Sequence, residues 1–160
     1  MHEPLLEKDQ IIPAFSLPGA DGMPHSPWDY KQREHLVLLL IQSATTKEGQ
    51  ELLCMFAQHF QDFREEQCAI LAITAETVIA NLEAQKALHL PFSLLADPKG
   101  GVISRYTKWD AAQKILTPNI ILANRYNALH QQWIIEREED MLPISDILAS
   151  LHYLNSLCTP

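Results

Sequence analysis

The chain alternates between short unbroken apolar runs and stretches whose apolar residues recur every three or four positions. Leu36-Val37-Leu38-Leu39-Leu40-Ile41 is a continuous apolar run of strand length. Such runs belong to strands buried on both faces, which predicts a central place in a mostly parallel sheet. The period then changes. Leu52, Leu53, Phe56, Phe60 and Phe63 are separated by Glu51, Gln58 and Asp62, the pattern of an amphipathic helix. Ala69-Ile70-Leu71-Ala72-Ile73 predicts a second buried strand, so this part of the chain reads as a right-handed βαβ unit. Residues 76–88, with Val78, Ile79, Leu82 and Leu88 as the apolar set, predict a second helix ended by Pro91. Phe92-Ser93-Leu94-Leu95 reads as a short strand, Asp97-Pro98-Lys99-Gly100 as a turn and Val102 to Tyr106 as a short helix. Ile120 to Ala123 and Leu129 to Ile135 form a hairpin about the polar turn Asn124-Arg125-Tyr126-Asn127. Ser145 is the candidate N-cap of a last helix with Ile147, Leu148, Leu151 and Leu154 as its stripe.

Prolines punctuate the start. Pro13, Pro18, Pro24 and Pro27 all precede residue 30, which predicts short strands and turns there rather than helix. Ala20-Asp21-Gly22 is the turn of a small N-terminal hairpin. No repeat or linker divides the chain, so residues 1–160 read as a single domain. The order of elements predicts an α/β sandwich on a mixed sheet, parallel inside and antiparallel at one side.

Composition narrows the function classes. At 160 residues with 47% hydrophobic positions, the chain can bury a core without disulfide or metal staples. Its net charge of -8 argues against a nucleic-acid partner, which requires a basic face, and against docking on anionic membrane. Cys54, Cys68 and Cys158 have no CxxC spacing, and the seven histidines show no i, i+3 or i, i+4 pair, so neither a disulfide framework nor a metal site is expected. No cofactor motif is present. Met1-His2-Glu3-Pro4 lacks the basic and apolar regions of a signal peptide, and a cytoplasmic location is expected. Glu136 to Asp140 reads as a solvated acidic face, and Trp28, Trp109 and Trp133 as packing residues.

Several strings, in order, resemble the peroxiredoxin family, the alkyl-hydroperoxide-reductase and thiol-specific-antioxidant group. Pro13-Ala14-Phe15-Ser16-Leu17 with Ala20-Asp21-Gly22 is similar to the family's opening phrase, and Trp28-Asp29-Tyr30 sits at a short helix of the family. Leu90-Pro91-Phe92-Ser93-Leu94-Leu95-Ala96-Asp97-Pro98, followed by Tyr106, resembles a later segment. Thr117-Pro118-Asn119-Ile120-Ile121-Leu122 lies at a strand that the family opens with arginine. The resemblance covers about residues 8–155 and implies a thioredoxin-like fold with an N-terminal extension. It implies a peroxidatic site after the first central strand, written P-x-x-x-T-x-x-C. The bacterioferritin-comigratory type, which the chain resembles best, adds a resolving cysteine five residues later.

Aligned without gaps from Leu36, Gln42 falls at the proline, Thr46 at the threonine and Gly49 at the peroxidatic cysteine. Cys54 falls at the resolving cysteine and Thr117 at the arginine. Peroxide reduction needs a thiolate held by a helix N-terminus and a cation, with donors aligned on the peroxide oxygens. Glycine brings no nucleophile and threonine no cation. The expectation is therefore a peroxiredoxin-like chain that has lost peroxidase activity and acts as a binding or regulatory module. Its partner would be a protein or small molecule, and the family's habit of pairing makes a homodimer one expectation. The alternative is a thiol-based antioxidant oxidoreductase working through Cys54.

Each candidate also has a plain structural role. Cys54 can be a small apolar helix residue, Cys68 a core residue and Cys158 an exposed tail thiol. Thr46 can cap the following helix, where Thr45 and Glu48 have capping-box spacing, and the helix start is an open site for a small anion. Thr117-Pro118 sits where thioredoxin-like folds carry a cis-proline; an ordinary trans bond is the other reading.

Overall fold

The computed structural model describes residues 5–137 and 144–157. Five strands form the central sheet, in the order β5 (Leu94–Ala96), β4 (Cys68–Thr74), β3 (His35–Ile41), β8 (Asn119–Ala123) and β9 (Leu129–Ile134). The N-terminal extension comes first: β1 (Leu17–Pro18) pairs antiparallel with β2 (Pro24–His25), and a 3-10 turn follows at Pro27–Asp29. The hairpin is thus confirmed, with its strands shorter than the sequence implies. Next come β3 (His35–Ile41), α1 (Lys47–Gln58), α2 (Phe60–Glu65) and β4 (Cys68–Thr74). These are followed by α3 (Val78–Leu88), β5 (Leu94–Ala96) and α4 (Ile103–Tyr106). A small hairpin, β6 (Trp109–Asp110) with β7 (Ile115–Leu116), leads into β8 (Asn119–Ala123), β9 (Leu129–Ile134) and α5 (Ile144–Ser156).

The apolar run of β3 is the axis of the fold. It pairs parallel with β4 over its full length and antiparallel with β8, which pairs antiparallel with β9. Every residue of β3 is buried. Strand alternation sends Val37, Leu39 and Ile41 to one face, where they pack with α1, α2 and α5 through Leu53, Phe56, Phe63, Ile147 and Leu151. Leu36, Leu38 and Leu40 go to the other face, against Phe15, Leu17, Ile103 and Tyr106. The N-terminal extension is therefore the cover of the second face. The buried Tyr106 hydroxyl fastens that cover by donating to the Pro13 carbonyl. This is the thioredoxin-like α/β architecture that the resemblance implies.

Four local expectations need correction. The helix read across Leu52 to Phe63 breaks at His59, which ends α1 and begins α2. In α3 the apolar set points largely outward: Ile79 is 71% exposed and Val78 and Leu82 36% each, while Asn81 and Ala84 are buried. Asn81 goes inside because its side-chain carbonyl accepts the hydroxyl of buried Thr74 at 2.8 Å. Ser145 is the second residue of α5 rather than its cap. Trp28 is exposed, with the Lys31 ammonium 4.0 Å from its ring centre, whereas Trp109 and Trp133 are half-buried against the core. Gly100 (φ +73°) approaches the Trp109 ring so closely that a Cβ there would come within 2.1 Å of it. Residues 138–140 of the acidic stretch and Cys158 lie outside the described residues.

Candidate functional site

The segment after β3 builds the candidate site. Ser43 turns the chain: its hydroxyl accepts from the Thr45 N–H at 3.1 Å and lies 2.8 Å from the Thr45 hydroxyl. Thr46 is the N-cap of α1, accepting from the Gly49 N–H at 3.1 Å and donating to the Ser43 carbonyl at 3.2 Å. The cap is therefore Thr46, and Thr45 is engaged with Ser43 instead of forming a capping box. Gly49 is buried in the first turn of α1. A Cβ built on Gly49 would lie 1.9 Å from the Ser43 carbonyl oxygen and 2.9 Å from the Thr46 Oγ1. The loop is closed over the place where a side chain would start.

Gln42 adds a second closure. Its amide nitrogen donates to the Lys114 carbonyl at 2.8 Å, and its amide oxygen accepts from the Leu116 N–H at 2.9 Å. Both ends of one side chain thus hold β7 against the end of β3. Nothing in the sequence signals this clamp, because its two partners lie more than 70 positions away.

Thr117 follows β7 and sits at the same end of the sheet, since its neighbour Asn119 pairs with Leu40. Its carbonyl accepts from the Thr107 hydroxyl at 2.7 Å and from the Asn119 amide at 2.8 Å. Its N–H donates to the Lys108 carbonyl at 3.1 Å. The Thr117–Pro118 bond is trans, as are all described peptide bonds, so of the two readings the ordinary trans one holds. The Pro118 carbonyl accepts from the Ile135 N–H at 2.9 Å. Lys47, at the start of α1, extends its ammonium outward to Glu51, 4.0 Å away, with 84% of the side chain exposed.

The cysteines separate clearly. Cys54 is the eighth residue of α1 and half-buried. Helix geometry sets it about 7.5 Å along the axis from Gly49 and about 140° around it. Thr46 and Gly49 are therefore in contact, Thr117 is tied to them through β7 and Gln42, and Cys54 stands apart. Cys68 opens β4, is 1% exposed, and hydrogen-bonds the Ala69 carbonyl at 3.3 Å. Burial pushes its thiol pKa far up, which makes it an inert core residue.

Two of the concavities among the described residues lie near these elements. One lies between α4, β8 and β9 and includes Thr117, Asn119 and Gln132. The other is an open groove between α2 and α5, walled by Glu65, Glu66 and His152. Thr46, Gly49 and Pro118 line neither. No described helix is long and apolar enough to cross a membrane.

Comparison with known proteins places this geometry. Peroxidoxin BcpB from Mycobacterium tuberculosis superposes with a TM-score of 0.85 at 18% identity, covering 94% of this chain and 99% of that one. The Xanthomonas campestris bacterioferritin comigratory protein superposes at 0.75 with 14% identity, over 91% and 99% of the two chains. At these identities the likeness is one of fold. In sequence, Peroxiredoxin bcp1 from Schizosaccharomyces pombe is 24% identical over 100 residues, 62% of this chain. The match spans 51%, about half, of that relative's length. The AhpC/TSA family model matches residues 9–138, from the N-terminal cover to the end of the β8–β9 hairpin, and by that match the chain belongs to the AhpC/TSA family.

Proposed function

We propose that this family member does not reduce peroxides through the first turn of α1 and serves instead as a non-catalytic binding or regulatory module. One observation carries the reading: at Gly49 there is neither a nucleophile nor room for one, because the Ser43 carbonyl occupies the space of a Cβ. Thr117 in place of the family's arginine supports it, since its own side chain brings no cation to hold a thiolate or a developing oxyanion. The module would meet a protein or small-molecule partner, alone or as a homodimer. With a net charge of -8, nucleic acid and anionic membrane are not expected among its partners. A cytoplasmic location is part of the same proposal.

A second reading rests on Cys54, which is half-buried rather than sealed and so keeps partial access for thiol chemistry. Reduction of hydrogen peroxide and an alkyl hydroperoxide, with dithiothreitol as thiol donor, separates the two. The module predicts a rate equal to that of Cys54→Ser. A rate well above that control transfers the function to Cys54. A rate retained in Cys54→Ser but lost in Cys158→Ser contradicts both.

A further inference from the structure

The last turn of α5 is fastened to three other elements by one side chain, that of Asn155. Its Nδ2 donates to the Glu66 carbonyl, at the end of α2, at 2.7 Å, which turns its Oδ1 toward His35 and Arg125. Arg125 Nη2, from the β8–β9 turn, donates to that oxygen at 2.9 Å, and His35 Nε2, from β3, lies 2.8 Å from it. Only a protonated Nε2 makes the second contact a hydrogen bond, so His35 carries its proton there and Nδ1 is a bare acceptor. That Nδ1 is buried without a partner, in a residue 2% exposed. A second proton would have to go on Nδ1, where no acceptor meets it. It would also charge a ring whose Nε2 is 3.3 Å from the Arg125 guanidinium. The closed arrangement thus accommodates neutral His35 and excludes its cation.

We propose that the last turn of α5 is an acid-released latch: proton uptake by His35 frees Asn155 and lets this turn lift while the strands stay paired. The groups around His35 set the sign. In the closed form burial lowers its pKa below the ordinary 6.5, the bond to Asn155 opposes, and Arg125 lowers it again. Glu66 raises it and His130 of β9 lowers it. Cys68, the register partner of His35 on β4, is a neutral buried thiol. His152 of α5 reaches the cluster through Glu66 Oε1, 3.3 Å away. Once the turn lifts, water reaches Nδ1 and the ring regains its ordinary pKa. Falling pH therefore favours the open form from about 6.5 downward, until the lowered value of the closed form is passed. A helix end with few apolar contacts is the part released at least cost. Ile147 and Leu151 hold the middle of α5 in the core, whereas Leu154 in the last turn is only partly buried and Tyr153 is exposed, its ring stacked on His130 at 6.5 Å.

Native-state amide hydrogen exchange on the full chain tests it, at about pH 7.5 and 5.5 and at several urea concentrations below the unfolding transition, with intrinsic exchange rates divided out. The expected result is a loss of protection at residues 153–156 of up to about tenfold at the lower pH. That exchange is expected to ignore urea, because a local opening exposes little surface, while the amides of β3 follow it. His35→Gln is expected to lose most of the pH response and His152→Gln to keep it. Protection at 153–156 that does not change with pH overturns the proposal. So does a urea dependence equal to that of β3, which would mean that the turn leaves only when the whole chain unfolds. A response retained in full by His35→Gln overturns it as well. Should His35→Gln fail to fold, the pH and urea dependences of the unaltered chain still decide.

Discussion

Thr46 uses its hydroxyl twice, as acceptor for the Gly49 N–H and as donor to the Ser43 carbonyl, and the second bond sets that carbonyl over Gly49. A substitution at Gly49 therefore meets backbone rather than a flexible side-chain tip. Gly49→Ala is expected to destabilise the fold by about 2–4 kcal/mol, within the upper range of strain and overpacking effects, read as a lowered urea midpoint. Gly49→Cys is expected to lose comparable stability and to gain no peroxidase rate. Alkylation offers a separate check at this scale. In a Cys158→Ser background, iodoacetamide is expected to modify Cys54 in the native protein and Cys68 only after denaturant, because Cys68 is sealed in the core. Modification of native Cys68 would mean that β4 opens readily. The gap-free register from Leu36 is what proposes Gly49 for the place of the family's cysteine. It could not reveal the contact on Gly49, since a carbonyl's position is decided by the turn at Ser43 and not by any side-chain pattern.

Elements meet at the opposite end of β3, where His35 anchors the last helix. His35 is 2% exposed, and its Nε2 hydrogen-bonds Asn155 Oδ1 of α5 at 2.8 Å, which makes Nε2 the protonated nitrogen. Asn155 also accepts from Arg125 at 2.9 Å and donates to the Glu66 carbonyl at 2.7 Å, so α5 is held to the β8–β9 turn and to the end of α2. His35 Nδ1 is buried without a partner. Burial lowers the His35 pKa below its ordinary 6.5; the Arg125 guanidinium and His130 push the same way, while Asn155 and Glu66 oppose. Above about pH 6.5 both folded and unfolded chains hold His35 neutral, and this stabilising difference is fully present. As the pH falls below that value the unfolded chain binds a proton that the folded chain refuses, so stability declines until the lowered folded pKa is passed. A lower urea midpoint at about pH 5.5 than at about pH 7.5 is expected, with a smaller difference in His35→Gln. The residual slope in that variant includes His130, whose pKa is also lowered, by burial and by Lys8. An unchanged slope in His35→Gln would remove His35 from this role. The stripe on α3 shows what periodicity misses among elements. It ranks residues by type, so Ile79 outranked Asn81, whereas the fold buries Asn81 to satisfy Thr74.

Across the whole molecule, β3 divides one core into two faces and belongs to both. Leu38→Ala, with its side chain fully buried on the face covered by the N-terminal extension, is expected to cost about 2–5 kcal/mol in a single cooperative unfolding transition. Two transitions would mean that the extension unfolds separately from the sheet. The architecture was readable because the unbroken run 36–41 and the chain order of strands and helices leave few topologies open. The relay joining Thr107, Thr117, Asn119 and Gln132 was not, because it unites polar residues from separate elements that no local spacing links. The closed Ser43–Gly49 turn also bears on the chain's future. A codon change that supplies sulfur at position 49 would be harmful before it could be useful, since the carbonyl above it must be re-routed first. Acquiring thiol chemistry at that place is thus expected to run through an intermediate that folds poorly, a ratchet against its gain by any single step.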